Sequence, residues 1–192
     1  MNYAIIDLEF TAWKGSLERN WGLPWEKREI IQIGAIKFNN FNNSSSKHLD
    51  LYIKPNFNKQ LSFYIQRLTN VNQNKINQLG IPITKANIIL NNFFKDVKNI
   101  FCNGFDKEIL IDNYKMLKIR PPKYIRNIYN IKPFLASYLK TETDQLVSSQ
   151  LHNFFKIENN NQGHNALNDC TNIFNCLKKI NNIEEELKKI TE

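Results

Sequence analysis

The stretch Tyr3-Ala4-Ile5-Ile6-Asp7-Leu8-Glu9-Phe10 decides how the rest of this chain is read. Its apolar run predicts a buried strand, yet two acids interrupt it at positions i and i+2. Side chains alternate across a strand, so Asp7 and Glu9 point to the same face, one pleat apart. Neighbouring carboxylates on an apolar strand repel each other and lose hydration, a cost that a cation relieves. Oxygen donors at this spacing suit a hard ion such as Mg²⁺ or Mn²⁺. An edge strand with one wet face has the same pattern. Asp-x-Glu by itself favours that plainer reading, because so short a motif recurs by chance. The decision falls to the remainder of the chain.

Two later segments bear on it. Asn103-Gly104-Phe105-Asp106 puts an acid just after a short apolar strand and at the start of a helix. Asp is a common residue at helix starts, but the carboxyl end of a strand is also where open α/β sheets place their sites. This segment does not separate the two. Gly163-His164-Asn165-Ala166-Leu167-Asn168-Asp169-Cys170 says more. Read as a helix, Ala166, Asp169, Ile173, Cys176 and Ile180 fall on one line of i+3 and i+4 steps. An acid on an otherwise apolar line points at a partner inside the protein. His164 precedes that helix on a Gly-flanked segment, read as mobile, from which it can lean over the same cleft. His48 and His152 have no such neighbours and are read as ordinary core or surface residues.

The rest of the chain predicts the scaffold. Thr11 to Arg28 is a polar and aromatic insert with Trp13, Trp21 and Trp25 among Gly and Pro. It is read first as a packed loop, and second as a platform on which bases stack. Strands are expected over Glu29 to Phe38, where Gly34 signals close approach of another backbone, and over His48 to Lys54, after a polar link from Asn39 to Lys47. Three consecutive strands imply an antiparallel meander. Helices follow over Ser62 to Leu68, Asn72 to Leu79 and Thr84 to Val97, with Thr84 as a cap. A strand over Asn99 to Asn103 leads into a helix from Asp106 to about Leu117, then a strand over Tyr124 to Tyr129. Helices close the chain over Lys132 to Lys140, Asp144 to Phe155, Asn165 to Ile180 and Ile183 to Ile190. The expected architecture is one α/β domain over residues 1–192, with a mixed central sheet between helical layers.

Composition narrows the partners. The net charge is +8, from 26 Lys and Arg against 18 Asp and Glu. If several acids are committed to metal ions, the outer surface is more basic still, and polyanions, nucleic acid first, are its natural partners. A lysine-rich surface also serves solubility alone. No apolar run approaches the roughly 18 residues a membrane helix needs, and Met1-Asn2-Tyr3-Ala4 lacks the basic segment of a secretory signal. Cys102, Cys170 and Cys176 show no metal-type spacing. They read as buried residues of a reducing compartment, the cytoplasm.

In that order along the chain, Asp7-x-Glu9, Asp106 after Asn-Gly-Phe, and His164-x-Ala-x-x-Asp169 resemble the motifs of the DEDDh group of DnaQ-like 3′–5′ exonucleases. Leu68-Thr69-Asn70-Val71 is similar to that family's Leu-Thr-Gly-Ile signature. Asn70 stands in place of glycine, a substitution that keeps access to left-handed backbone angles. The resemblance runs from Ile5 to about Leu177 and implies an RNase H-like fold. It also implies two Mg²⁺ or Mn²⁺ ions held by Asp7, Glu9, Asp106 and Asp169, with His164 as general base. Phe10, Thr11, Leu68 and Thr69 resemble the positions that grip and wedge the terminal nucleotide. The implied reaction releases nucleoside 5′-monophosphates from a single-stranded 3′ end. The second strand and the insert look closest to the small-RNA and histone-message exonucleases, which puts RNA slightly ahead of DNA. A non-catalytic nucleic-acid-binding or interaction module on the same fold, and an endonuclease on the same architecture, are the rival readings.

Overall fold

The structure, a computed structural model, describes residues 2–41, 46–159 and 161–192. The acid-bearing segment forms β1 (Asn2–Phe10), followed by β2 (Ile30–Phe38) and β3 (Ser46–Tyr52). These three pair antiparallel in sequence order, as the meander reading requires. Of the expected link between β2 and β3, residues 42–45 lie outside the described part. β4 (Val97–Cys102) and β5 (Ile128–Asn130) add in parallel on the other side of β1, giving the order β3-β2-β1-β4-β5. The acids therefore sit on the central strand of a mixed sheet, and the edge-strand reading of β1 is set aside.

Helices cover both faces of this sheet. They are α1 (Phe63–Thr69), α2 (Gln73–Leu79), α3 (Ile83–Phe93), α4 (Asp106–Met116), α5 (Lys132–Leu139), α6 (Leu151–Phe154), α7 (Ala166–Leu177) and α8 (Ile183–Thr191). The period-two alternation of β1 sorts its side chains between two cores. Ala4, Ile6 and Leu8 pack with residues of α3 and α4, including Leu90 and Leu110. Tyr3 and Ile5 pack on the opposite face with Leu135 of α5 and Ile173 of α7. Asp7 and Glu9 continue that second face, toward the end of the strand where α7 begins. A smaller core of Ala12, Ile31, Leu61, Ile65, Val71 and Ile76 supports the insert from below.

Local signals explain several helix ends. The side chains of Ser62, Asn72 and Asn165 accept hydrogen bonds from Ile65, Lys75 and Asn168 backbone N–H groups and cap α1, α2 and α7. Asn70 closes α1 with φ 57° and ψ 16°, the left-handed geometry its glycine-like position calls for. Thr84 does not cap α3; Pro82 holds the cap position without a side-chain bond, and Val97 is buried in β4.

Two expected elements take a different form. Tyr124 to Tyr129 is not a strand: Lys123–Asn127 is a 3₁₀ turn and only Ile128–Asn130 pairs, against Ile100 to Cys102. The apolar character there is spent on pointing Tyr124 and Ile125 into the core between α3 and α4. Asp144 to Phe155 is not one helix either. It breaks into 3₁₀ turns at Thr143–Gln145 and Ser148–Gln150 and the short α6. Side-chain amides capture carbonyls that a helix needs for its own ladder: Asn103 Nδ2 donates to Leu146 O at 3.0 Å, and Asn172 Nδ2 to Ser148 O. Among the described residues no helix is long and apolar enough to cross a membrane.

Candidate active site

Three parts of the fold converge where β1 ends. The first is β1 itself, with Asp7 and Glu9 on one face. The second is the turn from β4 into α4, where Gly104 at φ 154° swings the chain so that Asp106 becomes the first helical residue. The Asp106 carboxylate does not cap its own helix; it accepts a hydrogen bond from the Leu8 backbone N–H at 3.1 Å, tying α4 to β1. The third is the start of α7, which brings Asp169. Gly34, paired with Asp7 across the sheet, allows that approach. A Cβ on Gly34 would lie 2.2 Å from the Ala166 carbonyl carbon, so only glycine admits the helix backbone here. Gln32, paired with Glu9, receives the Ala166 N–H at 3.2 Å.

Asp7, Glu9, Asp106 and Asp169 are all buried, at 4–8% exposure. Burial and mutual repulsion raise their proton affinities. Asp7 is pushed well up by burial, then by Asp106, Asp169 and Glu9, with a Ser148 hydrogen bond opposing. Glu9 is pushed well up by burial, then by Asp169 and Asp106. Asp106 rises to about 7 through burial, with Leu8 N–H and Lys132 among the opposing influences. Asp169 also rises to about 7 through burial, opposed by the His164 backbone N–H. Among the described residues none of the four forms an ion pair with a cationic side chain. Buried carboxylates without cationic partners form a hard-oxygen donor set, which fits Mg²⁺ or Mn²⁺ and not a soft ion.

His164 completes the cluster. One of its ring nitrogens and carboxylate oxygens of Glu9 and Asp169 lie within 4.8 Å of one another. Burial lowers its pKa below the ordinary value. Its backbone is left-handed, φ 55°, a conformation with a cost for a non-glycine residue. The preceding Gly163 is held against Ser149, whose Cβ would be 2.7 Å from a Cβ there. Gly163 thus packs directly against Ser149 in the turn that leads into α7.

These groups line a cleft of about 350 Å³ together with Phe10, Leu68, Trp13 and Trp21. Thr11 and Thr69 do not line it. Thr11 is 2% exposed, donating to Lys27 O and accepting from Glu29 N–H; Thr69 is fully buried, donating to Ile65 O and accepting from Val71 N–H. Both hydroxyls are committed to shaping the walls behind Phe10 and Leu68. The insert is a packed loop around buried Glu26, whose carboxylate takes bonds from Ser16, Arg19 and Leu23. Trp21 donates to Thr11 O at 2.9 Å and packs on Phe10 with ring centroids 5.6 Å apart. Trp25 stands outside the cleft and is 56% exposed. Ser148, Lys132 and the 71% exposed Phe105 also line the cleft and were not singled out from the sequence as site residues. Ser148 and Lys132 carry no local motif. Phe105 stood inside the Asn-Gly-Phe-Asp segment, where its exposure was the missing signal.

Residues 4–177 match the family described as Exonuclease (RNase T), and the chain belongs to that family. No curated protein sequence matches it significantly. Its fold is similar to a 3′-exonuclease solved in 3′-end-specific recognition of a histone mRNA stem-loop, with TM-score 0.81 and 18% identity over 93% of this chain and 62% of that one. It is similar as well to the nuclease domain of 3′hExo, a DEDDh family member, bound to rAMP, with TM-score 0.79 and 18% identity over 99% and 94%. Exonuclease I of E. coli in complex with a dA16 oligonucleotide gives TM-score 0.71 and 15% identity over 98% and 42%. The chain thus spans under two thirds of the first of these proteins. The DEDDh resemblance and the RNase H-like mixed sheet read from the sequence are both borne out.

Proposed function

We propose that residues 1–192 form one metal-dependent 3′–5′ exonuclease domain. It releases nucleoside 5′-monophosphates from single-stranded 3′ ends, with RNA slightly preferred over DNA. The observation that carries this reading is the convergence of four buried carboxylates, unpaired with any cationic side chain among the described residues, with His164 in one cleft. A purely binding module gains nothing from converging like charges, which destabilise the fold. The RNA preference rests on likeness to an exonuclease solved with a histone mRNA stem-loop and to a nuclease domain bound to rAMP. The basic balance of +8 supports a nucleic-acid partner. Three unpaired, buried cysteines support a cytoplasmic setting.

Asp7, Glu9, Asp106 and Asp169 would hold the two divalent ions, which supply Lewis-acid stabilisation at the attacking and leaving oxygens of a phosphodiester. His164 accepts the proton of the attacking water. Its lowered pKa keeps the imidazole neutral, and so able to accept, at pH 7. Water oxygen adds to phosphorus as the bond to the 3′ oxygen of the preceding nucleotide breaks; that oxygen ends protonated and the phosphate stays on the departing nucleotide. Leu8 N–H, His164 N–H and the Ser148 hydroxyl favour the ionised forms of Asp106, Asp169 and Asp7 respectively. Phe10 and Leu68 provide apolar walls against which a terminal base is packed and water is excluded.

A panel of 5′-labelled RNA, DNA and duplex ends with Mg²⁺, Mn²⁺ or chelator tests the reading. A ladder growing from the 3′ end, lost in chelator, is the expected result. Cleavage of a circular single strand, which has no 3′ end, points to an endonuclease instead. Mn²⁺ binding with no hydrolysis of any substrate leaves only a binding module.

A further inference from the structure

Lys132 is the first residue of α5, separated from β5 by Ile131 alone. Among the described residues it is the only Lys or Arg that lines the acid-bearing cleft. Among the described residues its ammonium forms none of the ion pairs within 4.0 Å and donates no hydrogen bond, although its backbone N–H is fixed by Asn130 Oδ1 at 2.9 Å. Lys132 is half-buried, and Asp106 and Asp144 act on it only from a distance. A partly dehydrated ammonium without a partner is costly, so its place in the cleft calls for an anion that arrives there. The four acids do not serve as that anion: none is in ion-pair contact with it, and bound cations would satisfy their charge.

We propose that Lys132 is a substrate-contacting residue whose ammonium binds a non-bridging oxygen of the scissile phosphate, and keeps that contact in the nucleoside 5′-monophosphate product. This rests on the exonuclease reading above. Lys suits the role as a compact charge on a flexible stem that can follow the phosphate as its geometry changes. The opposing account is that Lys132 serves only to offset the charge of Asp106, which it influences. That account predicts altered metal binding; a phosphate contact does not.

The test uses the full chain as wild type, Lys132→Gln and Lys132→Arg. Calorimetry measures Mn²⁺ affinity, then AMP affinity in saturating Mn²⁺, beside kcat/KM on a 5′-labelled oligonucleotide. A charged hydrogen bond of ordinary strength predicts that Lys132→Gln weakens AMP by roughly 10- to 100-fold and lowers kcat/KM similarly. Lys132→Arg should recover most of both, with Mn²⁺ affinity unchanged. AMP binding as tight in Lys132→Gln as in wild type overturns the contact, as does a loss of Mn²⁺ affinity that accounts for the whole defect. Wild type that trims a 3′ end without binding AMP also overturns it, while wild type that neither binds AMP nor trims any 3′ end removes the exonuclease reading along with it.

Discussion

Asp7 carries the most contested charge in the molecule, since burial and all three neighbouring acids press its carboxyl toward the protonated form. Removing it should therefore separate chemistry from stability. Asp7→Ala is expected to abolish metal-dependent hydrolysis while the metal-free protein melts no lower than wild type, because one source of repulsion is gone. Undiminished nuclease activity in that variant would sink the site assignment. His164 makes a different prediction. As general base it should lose roughly 10²–10⁴-fold in rate on change to Ala, with Mn²⁺ affinity retained. Its nearness to Glu9 and Asp169 also suits a ligand, so a parallel fall in Mn²⁺ affinity would reassign it. A base must be deprotonated to act, and burial lowers this imidazole's pKa. In saturating metal, which holds the four carboxyls ionised, the acid limb of kcat/KM should therefore lie below the ordinary His value of about 6.5.

At the scale of elements, the site depends on how closely α7 can seat on the sheet. Gly34 faces backbone, not a flexible side chain, and backbone cannot move aside cheaply. Gly34→Ala should cost about 3 kcal/mol or more, a fall in Tm of roughly 10 °C for a chain of this length. It should also displace Asp169 from Asp7, so activity should drop further than stability explains. An unchanged Tm would show that α7 docks elsewhere. The broken segment between α5 and α7 has the same logic. Asn103 and Asn172 take the Leu146 and Ser148 carbonyls, and the interruption they stabilise is what brings the Ser148 hydroxyl to Asp7.

For the whole molecule, four raised carboxyl pKa values make a statement about stability. Unfolded, these acids titrate near 4; folded, Asp106 and Asp169 titrate at about 7 and Asp7 and Glu9 also lie well above their ordinary values. The folded state thus holds protons that the unfolded state releases. Stability from this source is full below about pH 4 and is lost as pH rises through about 7. In chelator, and apart from other titrations, Tm should fall between about pH 5 and pH 8. Mg²⁺ or Mn²⁺ should reverse the trend, since cations bind the ionised form; at a hundred times Kd the gain is about 2.7 kcal/mol, or roughly 5–10 °C. A metal-insensitive Tm at pH 8 would contradict a metal site in this cleft.

Asp7, Glu9 and Asp169 were legible as candidates because a charge inside an apolar pattern has few physical justifications, while Asp106 and His164 were legible only through the order of the motifs along the chain. The meander and the tight approach at Gly34 were legible as well, each tied to a local backbone requirement, whereas the left-handed Asn70 was legible only from its place in a motif that elsewhere carries glycine. Ser148 was not, because what draws it to Asp7 is a pair of side-chain amides from β4's end and α7, far away in sequence. Nor were the inward hydroxyls of Thr11 and Thr69, whose partners decide whether they face a ligand or the core. The sequence by itself determined which charged groups stand out as candidates, since Asp7, Glu9 and Asp169 conflict with their apolar surroundings and their order with Asp106 and His164 matches a known motif set. Tertiary structure alone decided which other residues share the cleft, because side-chain direction and partnership depend on packing between elements distant in the chain.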